Sequence, residues 1–278
     1  MTIAKRELDA FLLDLTREDR SPATVGKYLR DAAGFAAWLG SRELSKENTA
    51  AWREHLVKEG YAPATINSML SAANNLLRSL GREDCKIKFL RVQRRAFRDQ
   101  NRELTRAEYQ KLLDTAAERG QERLVLLMET ICAVGIRVSE VRYITVEAVQ
   151  KGRAEVSLKG KVRSILLPAK LCRKLLKYAQ KQRTVSGEIF LTRNGNPVSR
   201  RQIWREMKAL CKKAGVEPSK VFPHNLRHLF ATVFYKACRD IVKLADVLGH
   251  SSINTTRIYL MTSGAEHVRQ LEKLGLVT

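Results

Sequence analysis

The chain has 278 residues, room for one large domain or two ordinary ones, and 44% of them are hydrophobic, which excludes the disordered class. Lys and Arg total 51 against 29 Asp and Glu, a formal net charge of +22. Such an excess favours a polyanionic partner, because each phosphate neutralised by a basic side chain releases condensed counterions.

Residues 3–80 read as helical throughout. Ser21-Pro22 has the form of an N-cap followed by proline at the first helical position, where the missing N–H costs nothing. Behind it, Val25, Tyr28, Leu29, Phe35, Trp38 and Leu39 recur at near-helical spacing and stop at Gly40. Pro63-Ala64-Thr65 echoes Pro22-Ala23-Thr24 and starts a helix that carries Ile66, Met69, Leu70, Ala73, Leu76, Leu77 and Leu80 and ends at Gly81. Four or five short helices are expected here, as a bundle of their own over 1–90.

The stretch Arg82–Arg102 is basic and weakly patterned. It reads as an interdomain linker, assigned to 91–103, either plainly solvated or a strap whose Arg91, Arg94, Arg95 and Arg98 are candidate contacts to a DNA backbone. A second domain is expected over 104–278. It opens at Thr105-x-x-Glu108, a capping-box start. Leu124–Ala133 is an apolar helical run closing near Gly135. Glu155–Leu158 and Val162–Leu167 flank Lys159-Gly160-Lys161 as a β-hairpin, and Pro168 ends the second strand. Asn194-Gly195 marks a tight turn. Further helices are expected from Ser199 to Ala214, Asn225 to Cys238, Asp240 to Leu248, and Ile253 to the C-terminus.

The five cysteines (Cys85, Cys132, Cys172, Cys211, Cys238) have neither metal-ligand spacing nor a disulfide framework. Most are expected to be buried or inert thiols in a reducing cytosol. No apolar run approaches the roughly 18 residues needed to span a bilayer, and the opening Met1–Glu7 lacks an apolar signal core. A cytoplasmic protein without membrane contact is therefore expected, and nucleoid-associated if the polyanionic partner is DNA.

Four segments gather unusual residues: Gly135-Ile-Arg137-Val-Ser-Glu140, the lysine hairpin, His224-Asn-Leu-Arg227-His228, and Leu248-Gly-His250 with Tyr259 nine residues later. Each alone is weak. Together and in this order, "GIRVSEV", "HNLRHLFAT" and "LADVLGHSSINTTRIYL" resemble the motif blocks of the tyrosine recombinase (phage integrase) family. "SPATVGKYLRDAAGFAAWL" and "YAPATINSMLSAANNLLRSL" are similar to that family's core-DNA-binding helices. The short form resembles the Xer and integron-type members, which lack an arm-binding domain.

The resemblance implies a mainly α fold with a small β-sheet: an N-terminal SAM-like, core-DNA-binding helical domain and a C-terminal catalytic domain of the DNA breaking-rejoining fold. It implies strand cleavage through a 3′-phosphotyrosyl intermediate, a Holliday junction, and no metal, nucleotide or other cofactor. Implied partners are double-stranded DNA core sites and a homotetramer held on DNA through the C-terminal tail, with accessory DNA-bending or excision factors allowed. The tail contributes Val268, Leu271, Leu274 and Leu276 as an apolar stripe that either packs on its own subunit or docks on a neighbour.

The residue chemistry fits these roles. Attack on a phosphodiester builds negative charge that fixed cationic donors can neutralise, and guanidinium offers parallel N–H pairs that lysine cannot copy. Arg137, Arg227 and His250 are the expected charge clamp, Tyr259 the nucleophile, and His224 its proton acceptor. By resemblance the general acid is Lys159, with Lys161 as the alternative. Glu140 would orient Arg137 or stand as an ordinary helix-surface carboxylate, and His228 would support the site or simply pack inside. Two other readings remain open at this stage: a type IB topoisomerase-like relaxing enzyme, and a DNA-binding protein that keeps the fold without the chemistry.

Overall fold

The computed structural model describes residues 3–92, 102–158, 161–259, 268–269 and 272–274, with only the backbone for Leu158 and Lys161. The chain divides into two compact units, Met1–Arg94 and Arg95–Thr278.

The first unit is built from α1 (Lys5–Arg17), α2 (Pro22–Leu39), α3 (Lys46–Lys58) and α4 (Pro63–Ser79), followed by a 3₁₀ turn at Glu83–Cys85. The expected start signals operate as read. Ser21 Oγ accepts from the Thr24 N–H at 3.3 Å, and proline opens both α2 and α4. The α2 stop falls at Gly40, whose φ of +56° is a conformation glycine adopts at little cost. Phe11, Leu15, Phe35, Leu39, Trp52, Leu56, Leu70 and Leu77 form a closed core, with the Phe35 and Trp52 rings 4.8 Å apart.

The stretch from Arg82 is less linker-like than its composition suggests. Cys85 and Ile87 are buried in this same core. Two asparagines one heptad apart on α4 act as a surrogate strand edge. Asn74 donates to Ile87 O at 2.9 Å and accepts from Ile87 N at 2.8 Å. Asn67 does the same with Leu90, at 3.0 and 2.8 Å. Composition concealed this pairing, because the polar atoms that anchor the segment belong to another element. Arg91 is exposed beyond the last anchor, whereas Arg94, Arg95 and Arg98 lie outside the described residues.

The second unit contains α5 (Arg106–Glu118), α6 (Glu122–Val134), a 3₁₀ segment Val138–Tyr143, α7 (Val146–Gln150), β1 (Arg153–Leu158), β2 (Lys161–Leu166) and α8 (Ala169–Lys181). It continues with α9 (Arg200–Ala214), α10 (Pro223–Cys238), α11 (Ile241–Leu248), α12 (Ile253–Thr256) and a 3₁₀ turn Arg257–Tyr259. The Thr105–Glu108 capping box forms in both directions, at 2.8 and 3.1 Å. Helix α6 is packed by α5, α8, α9 and α10, which explains why its sequence is apolar almost all round.

The strands pair antiparallel as a two-stranded sheet with Leu158 opposite Lys161, leaving Lys159 and Gly160 between them. Ala154, Val156 and Ile165 share the buried face, on which Arg163 stands opposite Val156. Two helices were not anticipated. Helix α7 is too short for periodicity to reveal, and α8 begins directly behind Pro168, where the proline serves as N-cap rather than only as a strand terminator.

The stretch expected as a helix from Ile253 to the C-terminus differs in its described first part, and most of the remainder lies outside the described residues. One α-helical turn passes into a 3₁₀ turn, so Tyr259 sits on tighter backbone than an amphipathic helix would give. Beyond it, Val268 and Leu274 are exposed, while Leu271 and Leu276 lie outside the described residues. Among the described residues no helix is long and apolar enough to cross a membrane. All five cysteines are free, with Cys85, Cys172 and Cys211 buried and Cys238 exposed.

Candidate active site

Within the second unit, the C-terminal ends of α6 and α11 converge on the first turns of α10. Gly135 closes α6 in the left-handed conformation, with φ +65°. A Cβ there would stand 2.3 Å from Phe230 Cδ1, so only glycine lets α10 approach. The chain then turns into the 3₁₀ segment that carries Glu140, with Arg137 at its N-cap position.

Glu140 is fully buried. Its Oε1 accepts from Arg137 Nη1 at 2.9 Å, and its Oε2 accepts from the Arg137 backbone N–H at 2.7 Å and from Arg163 Nη2 at 2.6 Å. A buried carboxylate needs such compensation, and two guanidiniums and an amide supply it. Arg137 keeps 41% of its side chain exposed, so it is the cation that faces solvent. Its remaining recorded contact is long, Nη2 to Gly249 O at 3.5 Å.

Arg227 differs. It is 2% exposed, and it donates from Nη1 to Gly135 O at 2.6 Å and from Nη2 to Leu248 O at 2.8 Å. It therefore joins the ends of α6 and α11 beneath the site. Nη2 also lies 2.9 Å from His250 Nε2. Because guanidinium can only donate, Nε2 accepts, and the ring proton belongs on Nδ1, which donates to Thr256 Oγ1 at 2.9 Å.

Desolvation, followed by the charges of Arg227, Arg137 and Arg163, pushes the His250 pKa down to about 4. Sequence reasoning assigns His250 as a further donor in the charge clamp, a role that concerns the complex with phosphate. The ring is neutral here, with its accepting nitrogen turned to Arg227.

Tyr259 is 3% exposed and lies nearly parallel to the His250 ring, with centroids 5.9 Å apart and planes 9° apart. His228 meets the Tyr259 ring edge-on at 4.9 Å, and its Nε2 lies 3.9 Å from Glu103 Oε1. Desolvation lowers the Arg227 pKa most, the charge of Arg137 lowers it further, and a hydrogen bond with Tyr259 opposes both. The tyrosine therefore lies within electrostatic reach of the buried arginine.

His224, one turn ahead of Arg227, is exposed. Desolvation on its protein side, then the charges of Arg227 and Arg137, lower its pKa. A neutral imidazole near neutrality is the form that can accept a proton.

The structure thus brings Arg137, Glu140, Arg227, His228, His250 and Tyr259 together, with His224 in electrostatic reach. Lys159 lies outside the described residues. A cleft of about 280 Å³ opens beside this group, lined by Arg137, Val156, Arg163, Gly249 and His250 among others. Among the described residues no group of three or more His, Cys, Asp or Glu is placed to hold a metal ion.

Two participants escaped the sequence reading. Thr256 is a fully buried polar residue whose Oγ1 accepts from the His250 Nδ1 proton that the Arg227 contact dictates. Arg163 stands on the buried face of β2. Its strand reads Val162-Arg-Ser-Ile-Leu-Leu167, without clean alternation, so the facing of the arginine was not legible.

Comparison with known proteins identifies the family. Residues 102–265 match the phage integrase family model, and residues 8–84 match that of the phage integrase N-terminal SAM-like domain. The chain belongs to the phage integrase family. Its relatives include the tyrosine recombinase XerA of Thermococcus kodakarensis, 29% identical over 96% of this chain and 94% of the relative. The tyrosine recombinase XerC of Neisseria gonorrhoeae is also 29% identical, over 90% and 89%.

Among solved structures, a λ integrase (75–356) dimer bound to a COC′ core site aligns with a TM-score of 0.74 at 20% identity, covering 93% of this chain and 95% of that one. The XerH site-specific recombinase bound to a palindromic difH substrate aligns at 0.69 and 19%, covering 91% and 79%. Together with the two family models, these likenesses establish the fold: a SAM-like helical domain and a tyrosine recombinase catalytic domain.

Proposed function

We propose that this member of the phage integrase family is a site-specific DNA recombinase whose nucleophile is Tyr259. The observation that carries the reading is the continuous hydrogen-bonded and stacked path from Arg227 through His250 to Tyr259, flanked by the solvent-facing Arg137. Tyr259 Oη attacks phosphorus and its proton passes to a base, for which His224 is suited. A 3′-phosphotyrosyl bond forms as the bond to the 5′-oxygen breaks, and a hairpin lysine, Lys159 or Lys161, protonates that oxygen. Reversal by a 5′-hydroxyl from a second duplex gives exchange through a Holliday junction. The phosphotyrosyl linkage conserves the bond, so religation requires no nucleotide.

In this picture Arg137 meets the phosphate first. The charge of an incoming phosphate also favours imidazolium at His250, converting it from acceptor to donor in the presence of substrate. Glu140 holds Arg137 in place, and the exposed Arg91, with Arg94, Arg95 and Arg98, contributes backbone contacts. Assembly into a tetramer on DNA would use the C-terminal tail. An apolar groove of about 380 Å³ in the second unit, lined by Tyr109, Cys132, Leu229, Phe230, Val233 and Phe234, suits the side chains of Val268 and Leu274 from a neighbouring subunit. Action on the nucleoid in the cytoplasm follows from this reading.

The test uses a duplex selected from a randomised library by binding to the Tyr259→Phe protein, then nicked near the cleavage position so that religation fails. Wild type is expected to give a covalent protein–DNA adduct that survives denaturant and EDTA. Tyr259→Phe should give none, a loss of at least about 10³-fold. An adduct formed by Tyr259→Phe would overturn the assignment of the nucleophile, and loss of the wild-type adduct in EDTA would overturn purely cationic stabilisation.

A further inference from the structure

Arg163 closes the hairpin stretch KGKVR without a role assigned from the sequence, yet it ties the hairpin to the site through two side-chain hydrogen bonds. Its Nη2 donates to Glu140 Oε2 at 2.6 Å and its Nη1 to Val247 O at 3.0 Å. One side chain from β2 therefore spans the 3₁₀ segment of Arg137 and the end of α11 that leads into His250. Its stem lies on Gly249, where a Cβ would come within 2.5 Å of Arg163 Cδ and 2.6 Å of Nη1. Gly249 also has φ +64°, so the position both favours glycine and leaves room for this arginine.

The arrangement is a poor device for stability alone. The side chain is only 18% exposed, and its buried Nε has no partner among the described residues. A buried cation with an unmet donor is costly, and an apolar residue would pack the same face of the strand without that cost. What the arginine supplies instead is placement. Glu140 is shared, with one oxygen on Arg137 and the other on Arg163, so the phosphate-facing cation and the hairpin are referred to one buried carboxylate. Arg163 is two residues from Lys161 on the same strand, and by register both positions belong to one face of the hairpin.

We propose that Arg163 is a positioning residue that registers the β1–β2 hairpin against the Arg137–Glu140 pair and so governs protonation of the departing 5′-oxygen. This rests on the recombinase reading of the site. In the step concerned, the Tyr259 oxygen bonds to phosphorus, the bond from phosphorus to the 5′-oxygen breaks, and a hairpin ammonium gives that oxygen its proton. Arg163 touches neither the nucleophile nor the phosphate in this scheme. Its loss is expected to impair protonation by the hairpin more than attack by Tyr259, because Glu140 keeps both of its bonds to Arg137.

The experiment compares two suicide duplexes of the selected sequence, identical except that one carries sulfur in place of the bridging 5′-oxygen. A thiolate departs without a proton, so the second substrate bypasses the general acid. Arg163→Gln is expected to slow adduct formation on the oxygen substrate about 10²-fold, the usual contribution of a positioned acid, and to come within about fivefold of wild type on the sulfur substrate. Arg163→Lys should fall between, because an ammonium cannot hold both Glu140 and Val247 O. Arg137→Gln should remain slow on both substrates.

The ratio of the two rates is measured on one sample, so it is independent of how much variant is folded. Equal slowing of Arg163→Gln on both substrates would overturn the proposal and assign the residue to the phosphate clamp. Unchanged rates on both would overturn it outright. Absence of a wild-type adduct on either substrate would instead count against the recombinase reading. Lysine-to-alanine variants at 159 and 161 run beside it identify which lysine is rescued by sulfur.

Discussion

At the scale of single residues, the site is a set of positive charges held together by one carboxylate and one neutral imidazole. The imidazole is the weak point in acid. His250 in the folded chain has its pKa lowered to about 4, against 6.5 for the free side chain. The unfolded chain therefore binds a proton between those values that the folded chain refuses, and folding stability falls as pH drops through that window. Above pH 6.5 the contribution is fully present. The physical cause is desolvation first, then the proximity of Arg227, Arg137 and Arg163, which an imidazolium would join as one more cation. His250→Gln removes the titration. Urea unfolding of the two proteins from pH 7 to 4.5 should show a wild-type slope steeper by up to about 1.4 kcal/mol per pH unit, the value of one proton. His224, whose pKa is also lowered, leaves a residual slope in the variant. Identical slopes in both proteins would show that another group controls acid sensitivity.

At the scale of elements, the described part of the segment following α4 is held by side chains rather than by a sheet. Asn74 satisfies both backbone groups of Ile87, and Asn67 those of Leu90. Asn74→Leu leaves a half-buried N–H and carbonyl without partners, which costs about 1–3 kcal/mol for the group stranded. Chemical unfolding should register that loss, and amide exchange at Ile87 should accelerate while exchange in the middle of α2 follows global stability alone. Unchanged exchange at Ile87 would mean the asparagine is not what holds the segment. These asparagines also show where sequence reading stops. Start signals such as Ser21-Pro22 and Thr105-x-x-Glu108 were legible because cap and partner are three residues apart. Asn74 and Ile87 are separated by a helix end and a 3₁₀ turn, and polarity alone suggested a linker. The site follows the same rule. Arg137, Arg227, His250 and Tyr259 were legible as an ordered set of motifs, whereas Thr256 and Arg163 act through contacts that only the folded chain creates. The bond from Arg163 to Glu140 links residues 23 apart in sequence, across a helix, a strand and the hairpin turn. The short α7 and the proline-capped α8 went unread for a different reason, since neither gives a periodic run with a conventional start.

At the scale of the whole molecule, the charge is unevenly divided. Residues 1–94 hold 16 Lys and Arg against 12 Asp and Glu, whereas residues 95–278 hold 35 against 17. The second unit therefore carries a net +18 of the +22, and it is the unit that contains Arg137, Arg227 and Tyr259. An excess of that size exceeds what the site itself employs. Much of it is available to grip phosphates on either side of the cleaved bond, while the nearly balanced first unit depends more on shape and on particular contacts. Binding to a duplex of arbitrary sequence should then be governed by counterion release. With roughly 6–10 phosphates neutralised, affinity falls about 10³–10⁵-fold between 50 and 200 mM salt. Fluorescence anisotropy of the full chain on a labelled duplex measures this directly, as the slope of log affinity against log salt. A slope near −6 or steeper is expected. A slope shallower than about −3 would mean that few of these cations reach phosphate, and recognition would then rest on the selected sequence rather than on the charge of the second unit.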